Sequence, residues 1–165
     1  MTAAPRRSNL QAMVLNRQKR VRVRLRSLDG FLHRAGALLG LADGAATICL
    51  VTDAQIAKWN RSYRGKNRPT DVLSFPVSMG VQNGNGRTPR QPKTLGAAES
   101  AYLGDVAIAP AVARRNARTG GRSFDQEVQI LTLHGLLHLM GYDHEADDGV
   151  MERLEMRLRR KLGIA

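Results

Sequence analysis

The chain has a single cysteine, Cys49, in 165 residues, so no disulfide can form within it. That cysteine lies in the apolar run Ile48-Cys49-Leu50-Val51, where a small thiol packs as core, and such usage suits a reducing compartment. Aromatic residues are scarce, at 4%, which leaves the core to Leu, Val, Ile, Met and Ala. The hydrophobic share of 42% is enough for one core, because single cores fill chains of roughly 100–200 residues. There is no apolar run of the ~18 residues that a spanning helix needs and no secretory apolar segment, so the expectation is a cytoplasmic protein without a membrane partner. Acids are also missing from the start of the chain. None precedes Asp29, whereas Arg6, Arg7, Arg17, Lys19, Arg20, Arg22, Arg24 and Arg26 all do. This composition fits a disordered basic arm over residues 1–20 that meets RNA, or a transit peptide directing the chain to an organellar matrix.

What is abundant is positive charge. Lys and Arg number 26 against 14 Asp and Glu, a formal net charge of +12. Folding does not require such an excess, and solubility is better served by acids. A polyanionic partner explains it, nucleic acid first and an anionic membrane surface second.

The apolar pattern is that of an α+β protein: one domain over residues 1–165, with a small mixed β-sheet flanked by helices. Two segments compete for the first strand. One is Met13-Val14-Leu15, and the other is the alternation of Val21, Val23 and Leu25 with arginines. A helix follows through Leu28, Phe31, Leu32, Ala35, Leu38 and Leu39, with Ser27 or Asp29 as its cap. Residues 46–51 read as a buried strand. Thr52 and Asp53 open a helix through Ile56, Trp59 and Tyr63. Residues 71–75 form a short strand stopped by Pro76, and the Gly-, Asn- and Pro-rich residues 78–100 form an inserted polar loop. Residues 103–109 are a further strand. A helix after Pro110 ends near Gly120-Gly121, and Ser123 with Gln126 makes a capping box for a long helix over 124–140. Asp147 or Asp148 caps a last helix ending at Gly163.

Three of the four histidines fall in His134-Gly135-Leu136-Leu137-His138-Leu139-Met140-Gly141-Tyr142-Asp143-His144. Residues four apart share a helix face with Cβ atoms about 5–6 Å apart, so His134 and His138 can converge on one ion. Gly141 lets the helix stop and the chain reverse, which brings His144 back as a third ligand. Three protein ligands leave one position open, the catalytic arrangement for zinc, here one ion per chain. Iron, nickel or manganese use the same nitrogens, and zinc is favoured by ligand type. The spacing is that of the extended zincin peptidase motif, but Gly135 stands where those enzymes carry their glutamate base. The geometry therefore argues for a metal and against peptidase chemistry. Asp143 either orients a ligand imidazole or shapes the turn. His33, alone on its helix, is given no role.

A second concentration of chemistry is Lys58, Arg61, Arg64, Lys66 and Arg68, with no acid among them. Runs of charge are usually solvated helix faces. Here Gly65 and Pro69 punctuate the run and make part of it a shaped loop, from which an arginine can grip a phosphate with its planar fork.

Taken together, Trp59-Asn60-Arg61-Ser62-Tyr63-Arg64-Gly65-Lys66, Pro69-Thr70-Asp71-Val72-Leu73-Ser74-Phe75-Pro76, Leu103-Gly104-Asp105 and the histidine motif resemble the YbeY endoribonuclease family over roughly residues 46–162. The resemblance implies a small sheet flanked by helices, with the metal at the end of the long helix. It implies a single-strand-specific, zinc-dependent endoribonuclease that matures the 3′ end of small-subunit rRNA and serves ribosome quality control. Its partners would be rRNA and the small subunit, with a small-subunit ribosomal protein and an assembly GTPase. It carries the metal ligands onto His134, His138 and His144 and the family's functionally important arginine onto Arg64, which is taken as catalytic; Lys66 and Arg68, from the basic run, are taken as RNA contacts. Asn67 departs from the family, which commonly has an acid there, as do the long 78–100 segment and the strongly basic N-terminal arm.

Three functions compete. In an RNA phosphodiester hydrolase, the metal activates a phosphoryl oxygen or water and Arg64 steadies negative charge. No general base is evident, and metal-activated water and the RNA 2′-hydroxyl stand as alternative nucleophiles. An rRNA-binding assembly factor with a mainly structural metal accounts equally well for the charge. A zinc peptidase is disfavoured by Gly135.

Overall fold

The computed structural model describes residues 13–77 and 102–165. Its elements are β1 (Val14–Asn16), α1 (Leu25–Leu39), β2 (Ala46–Leu50), α2 (Asp53–Arg64), β3 (Val72–Pro76), β4 (Gly104–Ile108), α3 (Pro110–Thr119), α4 (Phe124–Leu139) and α5 (Val150–Leu162). The strands form one mixed sheet in the order β1-β2-β4-β3. β1 and β4 run parallel to β2, and β3 runs antiparallel to β4 at the edge. This is the α+β arrangement expected.

Alternation along the strands divides the core between the two faces of the sheet. Ile48, Leu50, Val106 and Ile108 point to the side that holds Leu28, Phe31, Leu32 and Leu39 of α1, Leu133, Leu136 and Leu137 of α4, and Met151, Leu154 and Leu158 of α5. Leu73 and Ala107 point the other way, onto Ile56 of α2 with Trp59 and Phe75 at the margin. Helix α4 contacts α1, α3, α5 and two strands. That central position explains why it is apolar nearly all round, with ten of its residues buried.

At Gly135, α4 lies directly against the sheet. A Cβ placed there would lie 2.4 Å from Val106 Cγ1, and Ser74 Oγ donates to the Gly135 carbonyl at 3.2 Å. The position that carries a glutamate in zincin peptidases is therefore filled by the sheet.

Several local expectations are corrected. The first strand is Val14–Asn16, so the basic arm drawn over residues 1–20 is structured from Met13 onward, and its first 12 residues lie outside the described part. The Val21-Val23-Leu25 alternation makes no strand. The buried Gln18 side chain accepts from the Val21 N–H at 2.9 Å and donates to its carbonyl at 2.8 Å, taking both groups a ladder would use. Helix α1 begins at Leu25 with Arg24 as N-cap, which leaves Ser27 and Asp29 inside it. The strand β3 does end at Pro76, with the proline itself as its last paired residue, which an edge strand tolerates because no neighbour needs the missing N–H. Ser123 caps α4 by accepting from Gln126 N–H at 3.1 Å, but the Gln126 side chain turns to the carbonyls of Ile164 and Ala165, so the capping box is half made. Gly149 is the N-cap of α5, while Asp147 satisfies the Met151 N–H at 2.9 Å. The inserted loop over 78–100 lies outside the described residues.

A candidate metal centre beside a basic pocket

Helix α4 delivers His134 and His138 from its last turns and then stops. Gly141 takes φ +98°, the Gly141 N–H returns to the His138 carbonyl at 3.0 Å, and the Tyr142 N–H returns to the Leu137 carbonyl at 3.1 Å. These two bonds close the helix in the Schellman pattern, for which a glycine at that position is suited. The chain then turns at Asp143, whose carboxylate accepts from the Glu145 N–H at 3.0 Å and whose carbonyl accepts from the Ala146 N–H at 3.1 Å. Of the two roles open to Asp143, the turn is the one its bonds serve. The turn presents His144, and one ring nitrogen from each of His134, His138 and His144 falls within 4.8 Å of the others.

The orientation of two rings is fixed from behind. His138 Nδ1 lies 2.9 Å from the Tyr142 carbonyl, which can only accept, so Nδ1 carries the proton. His134 Nδ1 lies 2.8 Å from Glu155 Oε2 on α5. With both Nδ1 atoms donating, the two Nε2 atoms face each other 3.1 Å apart as lone pairs. Two lone pairs at that separation repel unless a cation or proton lies between them. The donor set therefore fits a metal ion, and closed Nδ1 partners are what ligating imidazoles carry. Burial pushes the His138 pKa down to about 4, and the neighbouring His134 and His144 add to the effect, so the ring is neutral and able to coordinate at pH 7.

Glu155 was not legible as a site residue. Burial works against its charge, but His134, by hydrogen bond and charge, and then Arg159 outweigh burial and hold its carboxyl below the usual glutamate range. One signal was available. Met151, Leu154, Glu155 and Leu158 share the buried face of α5, and Glu155 is the only acid on it. A charged residue on an apolar stripe calls for a partner.

Arg64 is the last residue of α2, and Gly65 ends the helix in the left-handed conformation. Its guanidinium reaches Glu145, the residue after His144, at 3.7 Å. Arg64, Lys66 and Arg68 line one pocket of about 280 Å³ with Asn60, Thr70, Asp71 and Asn116. Lys58 and Arg61 do not line it. The floor is braced: Asn60 is buried and its side-chain amide donates to the Arg68 carbonyl at 2.8 Å, and Asn116 donates to Asp71 Oδ2 at 3.0 Å. His33 lies on α1 against Asp29 and Asp43, apart from the other three histidines.

A family model described as Endoribonuclease YbeY matches residues 14–163. The chain belongs to the YbeY endoribonuclease family. The match begins well before residue 46, where the motifs begin, because β1 and α1 carry packing and no motif. Relatives named Endoribonuclease YbeY include one from Solibacter usitatus, 44% identical over 125 residues that cover 75% of this chain and 71% of the relative. Another, from Bacillus licheniformis, is 38% identical over 139 residues, or 84% of this chain and 82% of the relative. Among solved structures, that of TM1509 from Thermotoga maritima, determined in solution, superposes with a TM-score of 0.54 at 24% identity over 90% of this chain and 87% of that one. At that identity the likeness speaks for the fold alone.

Proposed function

We propose that this protein is a zinc-dependent, single-strand-specific endoribonuclease that matures the 3′ end of small-subunit rRNA and takes part in ribosome quality control, with the small subunit as its site of work. As a member of the YbeY family the chain is a nuclease acting on RNA. The observation that supports the finer reading is the pair of facing Nε2 atoms, 3.1 Å apart, together with a pocket lined by three cations, one of which, Arg64, reaches Glu145 on the turn that bears His144. When bound, zinc supplies Lewis acidity toward a phosphoryl oxygen and toward water. His134, His138 and His144 hold it, and Glu155 and the Tyr142 carbonyl keep two of the rings aimed. Arg64 grips a phosphate oxygen. Its present partner, Glu145, is exposed and 3.7 Å away. Such a pair is worth about 0–1 kcal/mol, so an RNA phosphate displaces it readily. Lys66 and Arg68 hold the backbone on either side. Among the described residues no helix is long and apolar enough to cross a membrane, and a cytoplasmic place of action suits the substrate.

The test is metal analysis of the purified protein together with cleavage of a defined single-stranded RNA. About one zinc per chain and metal-dependent cleavage are expected, with both lost in a folded His138→Ala variant. Full zinc retention in His134→Ala and His144→Ala would remove the ligand assignment. RNA binding without cleavage by zinc-loaded protein would favour the assembly-factor reading.

A further inference from the structure

Tyr63 is the most exposed large hydrophobic side chain among the described residues, at 66%. The exposed Tyr102, at 43%, has work for its hydroxyl in hydrogen bonds to Thr47 and Asp105. Tyr63 is held by its ring. It meets Phe75 of β3 edge-on, with centroids 5.1 Å apart and planes at 71°, and Phe75 in turn meets Trp59 at 5.6 Å and 77°. The three rings form a ladder across α2 and the edge strand. This fixes the outermost ring without covering it. The next residue in the chain is Arg64, which reaches the turn bearing His144 and lines the basic pocket.

We propose that the Tyr63 ring, backed by Phe75 and Trp59, is a stacking platform for one unpaired base of the RNA whose phosphates lie on Arg64 and the basic pocket. The occupant follows from the chemistry. A flat, exposed aromatic ring on the residue next to an arginine of a cationic groove suits single-stranded nucleic acid, because every base has a π-face and every nucleotide a phosphate. A duplex keeps its bases stacked on each other and cannot offer one. The platform thus gives a physical cause for a single-strand preference, which the metal and the arginine do not, since both act on phosphate. This inference rests on the endoribonuclease reading and adds a base-binding subsite to it.

The probe is a short RNA carrying 2-aminopurine, mixed with the zinc-loaded protein in a stopped-flow instrument and compared with the same sequence as a duplex. Stacking on tyrosine quenches the probe. The wild-type protein and Tyr63→Phe are expected to quench it. Tyr63→Leu is expected to lose the quench, bind the single strand about tenfold more weakly and keep its duplex affinity, with an unchanged salt slope because no cation is removed. Tyr63→Leu keeps an apolar side chain at an exposed position and gives up only the edge-on contact with Phe75, so it should fold with at most a small drop in melting temperature. Equal quenching and affinity in Tyr63→Leu overturn the platform while leaving the nuclease reading intact. Loss of the quench in Tyr63→Phe as well also overturns it, pointing to the hydroxyl. Wild-type protein that binds no RNA, or binds it independently of salt, would bring down the endoribonuclease reading and the platform with it.

Discussion

Glu155→Gln separates the charge behind His134 from the hydrogen bond it makes. In the wild type, Glu155 Oε2 accepts a hydrogen bond from His134 Nδ1 at 2.8 Å from a buried position. The bond sets the tautomer, and the negative charge makes the opposite nitrogen a better donor to the metal. Removing such a partner lowers metal affinity by about 10–100-fold, or roughly 1.4–2.7 kcal/mol. Glutamine can still accept from Nδ1 but without charge, and charge-assisted hydrogen bonds are about twice as strong as neutral ones. Glu155→Gln should therefore lose about tenfold in zinc affinity, and Glu155→Ala, which removes the acceptor too, nearer a hundredfold. Affinity is read by competition with a chromophoric chelator, alongside thermal melting of the metal-free forms. Arg159 complicates the reading because it also pairs with this carboxylate. Arg159→Gln is the control. If Glu155 acts on the metal through His134, Arg159→Gln leaves zinc affinity unchanged or slightly higher, since it removes a cation competing for the same carboxylate. Native zinc affinity in both Glu155 variants, or equal losses in Arg159→Gln and Glu155→Gln, would refute the orienting role.

Arg64→Ala should keep zinc and fold, since the side chain is 42% exposed, yet lose about 3 kcal/mol of transition-state stabilisation, roughly a hundredfold in single-turnover cleavage. Arg64→Lys should recover part of that, and wild-type cleavage by metal-loaded Arg64→Ala would remove the residue from the site. Gly135→Ala places a methyl 2.4 Å from the buried, stiff Val106. Overpacking costs about 1–3 kcal/mol against about 1 kcal/mol of added helix propensity, so the melting temperature should fall and Val106→Ala should restore part of it. An unchanged melting temperature in Gly135→Ala would show that the helix–sheet contact has slack. Metal-free protein should lose stability on acidification. The His138 pKa is about 4 in the fold and about 6.5 in an unfolded chain, so the unfolded state takes up the proton first. The contribution is present above ~6.5 and is lost as pH falls toward ~4. Denaturant titrations of the wild type and His138→Gln at intervals across that window should show the two curves converge at the acid end.

Elements with local causes were legible in the sequence. The i, i+4 pair His134 and His138, the Gly141 turn and the Ser123 cap follow from helix periodicity and hydrogen bonding over a few residues, and they recur in the structure. The strand at 46–50 and the helix after Thr52 follow from apolar alternation and a capping hydroxyl, which accepts from the Gln55 N–H at 3.2 Å. Local rules failed where a distant or buried side chain decided the outcome. Val21 and Val23 alternate like a strand, but the buried Gln18 amide had already taken the backbone groups of Val21. That Pro76 can be paired as the last residue of β3 depends on that strand being an edge, and the order β1-β2-β4-β3 is a tertiary fact. The carboxylate behind His134 comes from the packing of α5 against α4. The meeting of Arg64 with Glu145 comes from the placement of α2 beside the turn after α4. The sequence by itself determined which groups could bind a metal and an anion, because residue chemistry and helical spacing are local. Only the tertiary structure decided which of them face one another and what stands behind them, because that depends on how the helices and the sheet close over a shared core.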